Sequence, residues 1–402
     1  MKIPLTLLTL LFLAAAAAGA EILKPAEIRA DVVQSANRNW RGTITKEDFV
    51  ATTITADGVD TAVPHHTVVA VYYRDVDNEA WTNFLQTWQD KNYAAALTAL
   101  NAVETGLRDL ASMRQQFFAE RVSYYRGLAY YYLRDFPNAE KHLATAAKRL
   151  NAIYKFESEY FWTRALENQG EYDKAAQRYH QFLTVILPHL AEQKPPDADR
   201  WRKLMELGRD RAQVFLLTAY PDNNEKVRAA LAKFHAAAGQ APVDTVDDDL
   251  RLSALRTELR AQKYLAGKNA AENAKIVEQL REPLREAALA GDRANLGWMY
   301  LLNADANFTR WDGAENASLR RDYGEAALFD YLRVAYGYAV EPAELARTYF
   351  NLGKLIEDLR GNDWQARALL HYRRAVSSEF RHTPTYDDAR KAFANLENRM
   401  RK

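Results

Sequence analysis

The chain has 402 residues, 48% of them hydrophobic and 27% charged, a net charge of +1, and no cysteine. That length suits one long repeat array or two to three globular domains. Charges of both signs are mixed along it with no basic stripe, which argues against a nucleic-acid partner, and disulfide staples are excluded. Local pairs such as Arg320-Arg321 and Arg373-Arg374 read as solvated helix faces.

The first twenty residues differ from the rest. Lys2 opens a short positive start, Ile3 to Ala18 is apolar, and Ala18-Gly19-Ala20 places small residues before Glu21. This is the pattern of a secretory signal peptide cleaved after Ala20. A retained membrane anchor is the alternative, but the run is short and lacks a positive stop-transfer flank. With no lipobox cysteine, the mature chain is expected to be soluble, without a stable membrane span. The bacterial periplasm is the expected address and the extracellular space the alternative.

Residues 21–75 read as a small β module. Trp40 to Thr45, Phe49 to Thr55 and Thr67 to Tyr73 are rich in Val, Ile, Thr and aromatics, with turn signals at Lys46-Glu47-Asp48, Asp57-Gly58 and Val63-Pro64. Four or five strands in so few residues suggest a meander or a partly open barrel. About 50 residues bury too little surface to stand alone, so Trp81, Phe84 and Trp88 are the expected contacts to the helices that follow.

From Asp77 onward the pattern is helical. Residues 76–190 carry the clearest pairs. Tyr93, Ala96, Leu100 and Val103 form a first returning helix, ending near Leu107. Gly127, Tyr130, Ala139, Leu143 and Ala146 surround a tight connection at Asp135-Phe136-Pro137, and Gly170, Tyr172, Ala175, Tyr179 and Phe182 repeat it. Lys194-Pro195-Pro196-Asp197 breaks the array. Residues 191–290 hold weaker pairs: Trp201 to Ala219 with Asn224 to Ala238, then, after a linker at Gly239 to Asp249, Leu250 to Leu265 with Ala271 to Ala290. The Asp247-Asp248-Asp249 triplet reads as a helix cap more than a cation site.

Residues 291–402 pair Asn295 to Phe308 with Tyr323 to Tyr336 across an insertion at Thr309 to Asp322. The last pair is marked by Tyr349, Leu352, Gly353 and Ile356 against Ala368, Tyr372 and Ala375. Tyr386 to Met400 reads as a closing helix.

The central alanine recurs after 36 residues, and Gly170-x-Tyr172-x-x-Ala175 fits a helix-pair code of small and bulky residues. On these motifs the chain resembles the tetratricopeptide repeat (TPR) proteins, with Ser123 standing where their consensus has tryptophan. The β module, with Gly42-x-Ile44, Asp57-Gly58 and Val63-Pro64, resembles the small Sm-like modules of some bacterial envelope proteins. The resemblance implies a mainly α fold: a TPR-like right-handed α-solenoid preceded by a small antiparallel β module. It also implies a concave groove formed by the first helices. The groove positions carried over are Arg121, Tyr124, Leu128, Tyr131 and Tyr132, then Tyr160, Arg164 and Asn168, then Arg347, Phe350 and Lys354. Tyrosine and arginine are favoured anchors of protein interfaces.

Signals for chemistry are thin. His65-His66 would point to opposite faces of a strand and not hold one ion. Asp305 to Asn316 alternates oxygen side chains like a calcium loop, but Arg310 and Asn316 stand where glycine and glutamate belong. No nucleophile or phosphate-loop motif occurs. The expected function is therefore a non-catalytic scaffold without cofactor or metal, taking a protein or extended peptide in its groove. A glycan-binding or cell-wall-binding β module carried by the solenoid is the alternative, and an enzyme with a pocket near Thr309 to Asp322 a third reading.

Overall fold

The computed structural model describes residues 21–76, 78–105, 112–193, 195, 197–219, 222–241, 250–338 and 340–401. The signal segment, Leu107, Lys194, Pro196 and the acidic triplet at Asp247 to Asp249 lie outside these residues.

Five strands follow a short 3-10 turn: β1 Asp31–Ser35, β2 Asn39–Glu47, β3 Ala51–Ala56, β4 Val59–Pro64 and β5 Val68–Tyr72. All neighbours are antiparallel, in the order β4-β3-β2-β1-β5. The β3–β4 hairpin closes through Asp57 and Gly58 at φ 50° and 78°, the two left-handed positions that a type I′ turn requires. Buried Asp31 accepts from the backbone N–H of Ile44 (2.8 Å) and of Arg74 (2.9 Å), tying β1 to β2 and to the exit of β5. One boundary differs from expectation: Val63-Pro64 ends β4, and the turn comes after it at His65–Thr67. As an edge strand, β4 tolerates a proline that donates no hydrogen bond.

The sheet does not stand alone. It is followed by α1 Asn78–Gln89, α2 Tyr93–Thr105 and α3 Ser112–Tyr132. The Trp81 indole donates to the Val71 carbonyl at 2.8 Å. Trp81, Phe84 and Phe118 share one core with Val32, Val71 and Tyr72. The area shortfall of so small a module is thus met by the first helices.

The chain continues with α4 Phe136–Ala146, α5 Lys155–Asn168, α6 Tyr172–Gln181, a π-helical turn at Phe182–Ile186, α7 Leu187–Ala191, α8 Ala198–Thr218 and α9 Asn224–Ala238. Asp135 caps α4 by accepting from the Asn138 N–H. A Cβ on Gly127 would fall 2.6 Å from the Leu143 side chain, so glycine there lets α3 and α4 close up. Tyr172, Ala175, Tyr179 and Phe182 are all buried, as the repeat code expects.

Two compact units divide the chain, Met1–Gln213 with Lys233–Asp248, and Val214–Ala232 with Asp249–Lys402. The second contains α10 Leu250–Ala266, α11 Ala270–Leu289, α12 Arg293–Asp312, α13 Ala317–Gly337, α14 Pro342–Leu359, α15 Trp364–Ala375 and α16 Tyr386–Met400. Each helix there packs against its sequence neighbours, and α10 also against α12. The insertion expected at Thr309 to Asp322 is corrected: α12 runs on to Asp312 and α13 starts at Ala317, so most of that stretch is helix. Asn316 caps α13 by accepting from Ser318 and Leu319.

A polar device recurs at three helix pairs. Tyr179 of the returning helix donates to Glu167 of the first helix (3.3 Å), which also holds Arg211 of the next (2.8 Å). Tyr331 donates to Asp305 (2.6 Å), which holds Arg347 (2.6 Å). Tyr372 donates to Glu357 (2.9 Å), which holds Arg399. Burial first, and the neighbouring carboxylate second, raise all three phenols, keeping them as donors. Each device joins a pair to the helix that opens the next one.

Candidate partner-binding surface

The eleven positions expected to line a groove separate into interior and surface groups. Arg121, Tyr124 and Tyr160 are buried, so the structure corrects their expected place on an open face. Leu128 is buried as well. Arg121 pairs with Glu47 of β2, and its guanidinium also donates to Tyr73 and to Tyr154 (2.5 Å). Burial pushes the Glu47 carboxyl up against the pull of Arg121. The Arg121 guanidinium is held charged by Glu47 against its own desolvation. Tyr124 stacks on Tyr154 at 3.9 Å between ring centroids. These side chains lock the sheet to α3 and α5.

Tyr131, Tyr132, Arg164 and Asn168 remain half-buried. Tyr132 stacks on Tyr93 (4.6 Å, 18° between planes) with Trp88 at 6.4 Å. Tyr131 stands edge-on to Phe161 at 5.1 Å and 5.9 Å from Tyr132. Its hydroxyl lies 3.5 Å from the Asn168 amide, and Arg164 pairs with Glu167 at 2.6 Å. The result is a half-exposed aromatic run, Trp88, Tyr93, Tyr132 and Tyr131, ending in an amide and a guanidinium. Sequence reasoning missed Trp88 and Tyr93 as members. The signal was present: Trp88 continues the helical spacing of Trp81, Phe84 and Leu85, packs at the edge of the sheet core as expected, and from there also meets Tyr93 and Tyr132.

In the second unit Arg347, Phe350 and Lys354 fall along one side of α14 and are also half-buried. The Lys354 ammonium lies 5.1 Å from the Phe308 ring, 5.8 Å from Phe350 and 5.9 Å from Trp311. Arg347 is engaged with Asp305, Arg260 with Glu344 at 2.9 Å, and Lys263 with the Thr309 hydroxyl at 3.1 Å. Burial lowers the Lys263 amine, opposed by Asp305. Much of this face is occupied by its own ion pairs.

His65 and His66 sit on a 3-10 turn, not a strand, yet they still diverge: His65 is nearly buried and His66 exposed. The His65 Nε2 lies 3.8 Å from Glu157. Burial pushes the imidazole down to about 3, with Arg121 adding to it, and pushes the Glu157 carboxyl up to about 7. Among the described residues no group of three His, Asp or Glu side chains is placed to hold a metal ion, and no helix is long and apolar enough to cross a membrane.

The architecture is that of a mainly helical protein of consecutively packed helix pairs with a small N-terminal antiparallel sheet. The chain matches no protein-family model, and no curated protein matches it significantly.

Proposed function

We propose that this is an exported, non-catalytic scaffold of the tetratricopeptide type, which takes an extended polypeptide against the first-helix face of its first unit. The observation that carries the reading is the run Trp88, Tyr93, Tyr132, Tyr131 with Asn168 and Arg164 at its end. Half-exposed aromatics offer wide, rigid contact area at low entropy cost, and the Asn168 amide and the Arg164 guanidinium, which is paired with Glu167, border that area with polar groups. Periplasmic placement rests on the pattern at residues 1–20, and the recurring Tyr–carboxylate–Arg device supports a repeat array.

The test is binding of a displayed library of extended peptides to the full chain. Tyr131→Ala with Arg164→Ala is expected to abolish selection of any consensus, with unchanged circular dichroism as the folding control. Equal selection by that variant contradicts the reading.

The carrier reading, in which the β module binds glycan, needs a different experiment from simple deletion. Removing residues 21–75 strips the cover from Trp81, Phe84 and Phe118, so loss of function would report unfolding. Titration of the intact chain with cell-wall oligosaccharides separates the two readings.

A further inference from the structure

The outward side of α13 exposes large apolar side chains in the second unit. Gly324, Ala327, Tyr331 and Val334 commit one side of this helix to the interior. The opposite side carries Leu319, Asp322, Ala326, Phe329, Arg333 and Tyr336, and all six are exposed. Leu319, Phe329 and Tyr336 are 47%, 60% and 55% exposed. Single exposed apolar residues are ordinary, but these six alternate in steps of three and four residues. That spacing forms one straight seam along a helix, the a/d pattern by which helices pair.

The order of residues along the seam decides what it can pair with. Read from either end, the seam is chemically complementary to itself. With a second copy of α13 running antiparallel about a two-fold axis that passes between Ala326 and Phe329, Leu319 meets the partner's Tyr336. Asp322 then meets the partner's Arg333, and Ala326 meets the partner's Phe329. One layer is apolar on apolar, one is acid on base, and one is small on large. Two-fold symmetry makes each contact twice, as an isologous interface requires. A parallel arrangement sets Arg333 against Arg333 and Asp322 against Asp322.

We infer that the exposed α13 seam is a homodimerisation surface, with a second copy of this chain as its occupant in antiparallel two-fold register. Arg333 also pairs with its own Asp330 at 2.5 Å and lies 4.9 Å over the Tyr300 ring, while its side chain stays 54% exposed. Bidentate capacity lets one arginine serve both acids.

Sedimentation equilibrium of the full chain at micromolar concentration is the test, with thermal unfolding of every variant as the folding control. The wild type is expected to be a dimer. Asp322→Arg, which sets arginine against arginine twice, is expected to weaken it at least about tenfold, and Phe329→Asp to leave monomer. The swap Asp322→Arg with Arg333→Asp is expected to restore the dimer. Because the chain has no cysteine, Ala326→Cys supplies a single thiol near the axis. A short bis-maleimide should link it between copies, while Gln177→Cys in the first unit should stay unlinked. If the double swap fails the unfolding control, the Ala326→Cys linkage and Phe329→Asp decide the matter. A monomeric wild type, a dimer indifferent to Asp322→Arg and Phe329→Asp, or equal linkage at the two cysteine positions each overturns the inference.

Discussion

The first helices of the two units use similar positions for different chemistry. In the first unit their half-exposed side is aromatic, with Tyr132 stacked on Tyr93 and the Tyr131 hydroxyl beside the Asn168 amide. In the second it is ionic and engaged with itself, through Arg347 with Asp305 and Arg260 with Glu344. A face whose charges are already paired must lose those partners before it can offer them. An aromatic face offers its area at once. The difference shows why a residue type favoured at interfaces does not by itself mark one.

Depth separates the two units just as sharply, and substitution should expose it. Arg121→Leu leaves Glu47 buried without its cation, and about 3 to 5 kcal/mol of stability should be lost, read from urea unfolding. Arg347→Leu removes a side chain that is 42% exposed, and Asp305 keeps the Tyr331 hydroxyl as a donor, so the loss should be clearly smaller. Equal losses would erase the distinction.

Tyr331→Phe sharpens the comparison within one residue type. It deletes a buried donor to Asp305, and about 1.5 to 3 kcal/mol should follow. Tyr132→Phe, on the half-exposed run, should change stability by no more than about 0.5 kcal/mol. A binding residue that is expendable for folding is what the proposed surface requires.

A pH-dependent effect lies at His65 and Glu157. His65 is lowered, so its contribution is complete above pH 6.5 and fades as pH falls toward about 3. Glu157 is raised, so its contribution is complete below pH 4.5 and is lost as pH rises through about 7. The opposing slopes cancel between pH 4.5 and 6.5, and stability should decline on both sides. His65→Phe with Glu157→Gln should flatten the profile measured by thermal unfolding, and an unaltered profile would remove this pair from the account.

The helix pairs were legible because their code is local. Gly127, Ala139, Ala175 and Tyr179 stand at spacings that packing demands, and all are buried. Four groove positions are buried instead, and for Arg121 the reason is distance. Arg121 finds Glu47 from 74 residues away, and nothing in the spacing of α3 announces a partner in a strand. The insertion at Thr309 to Asp322 looked irregular because Asp312, Gly313 and Asn316 are turn formers, yet only the residues between Asp312 and Ala317 leave the helices. Trp88 packs against the sheet core as its spacing predicts, and its ring also reaches Tyr93 and Tyr132, which lie on two other helices.

Site-specific photocrosslinking tests the central claim most directly. A photoreactive residue replacing Tyr132, compared with one replacing exposed Gln177 on α6, should be read in intact cells by mass spectrometry. The account predicts polypeptide adducts at position 132, few at 177, and their loss with Trp88→Ala. Equal adducts at both positions, or none at 132, would contradict it.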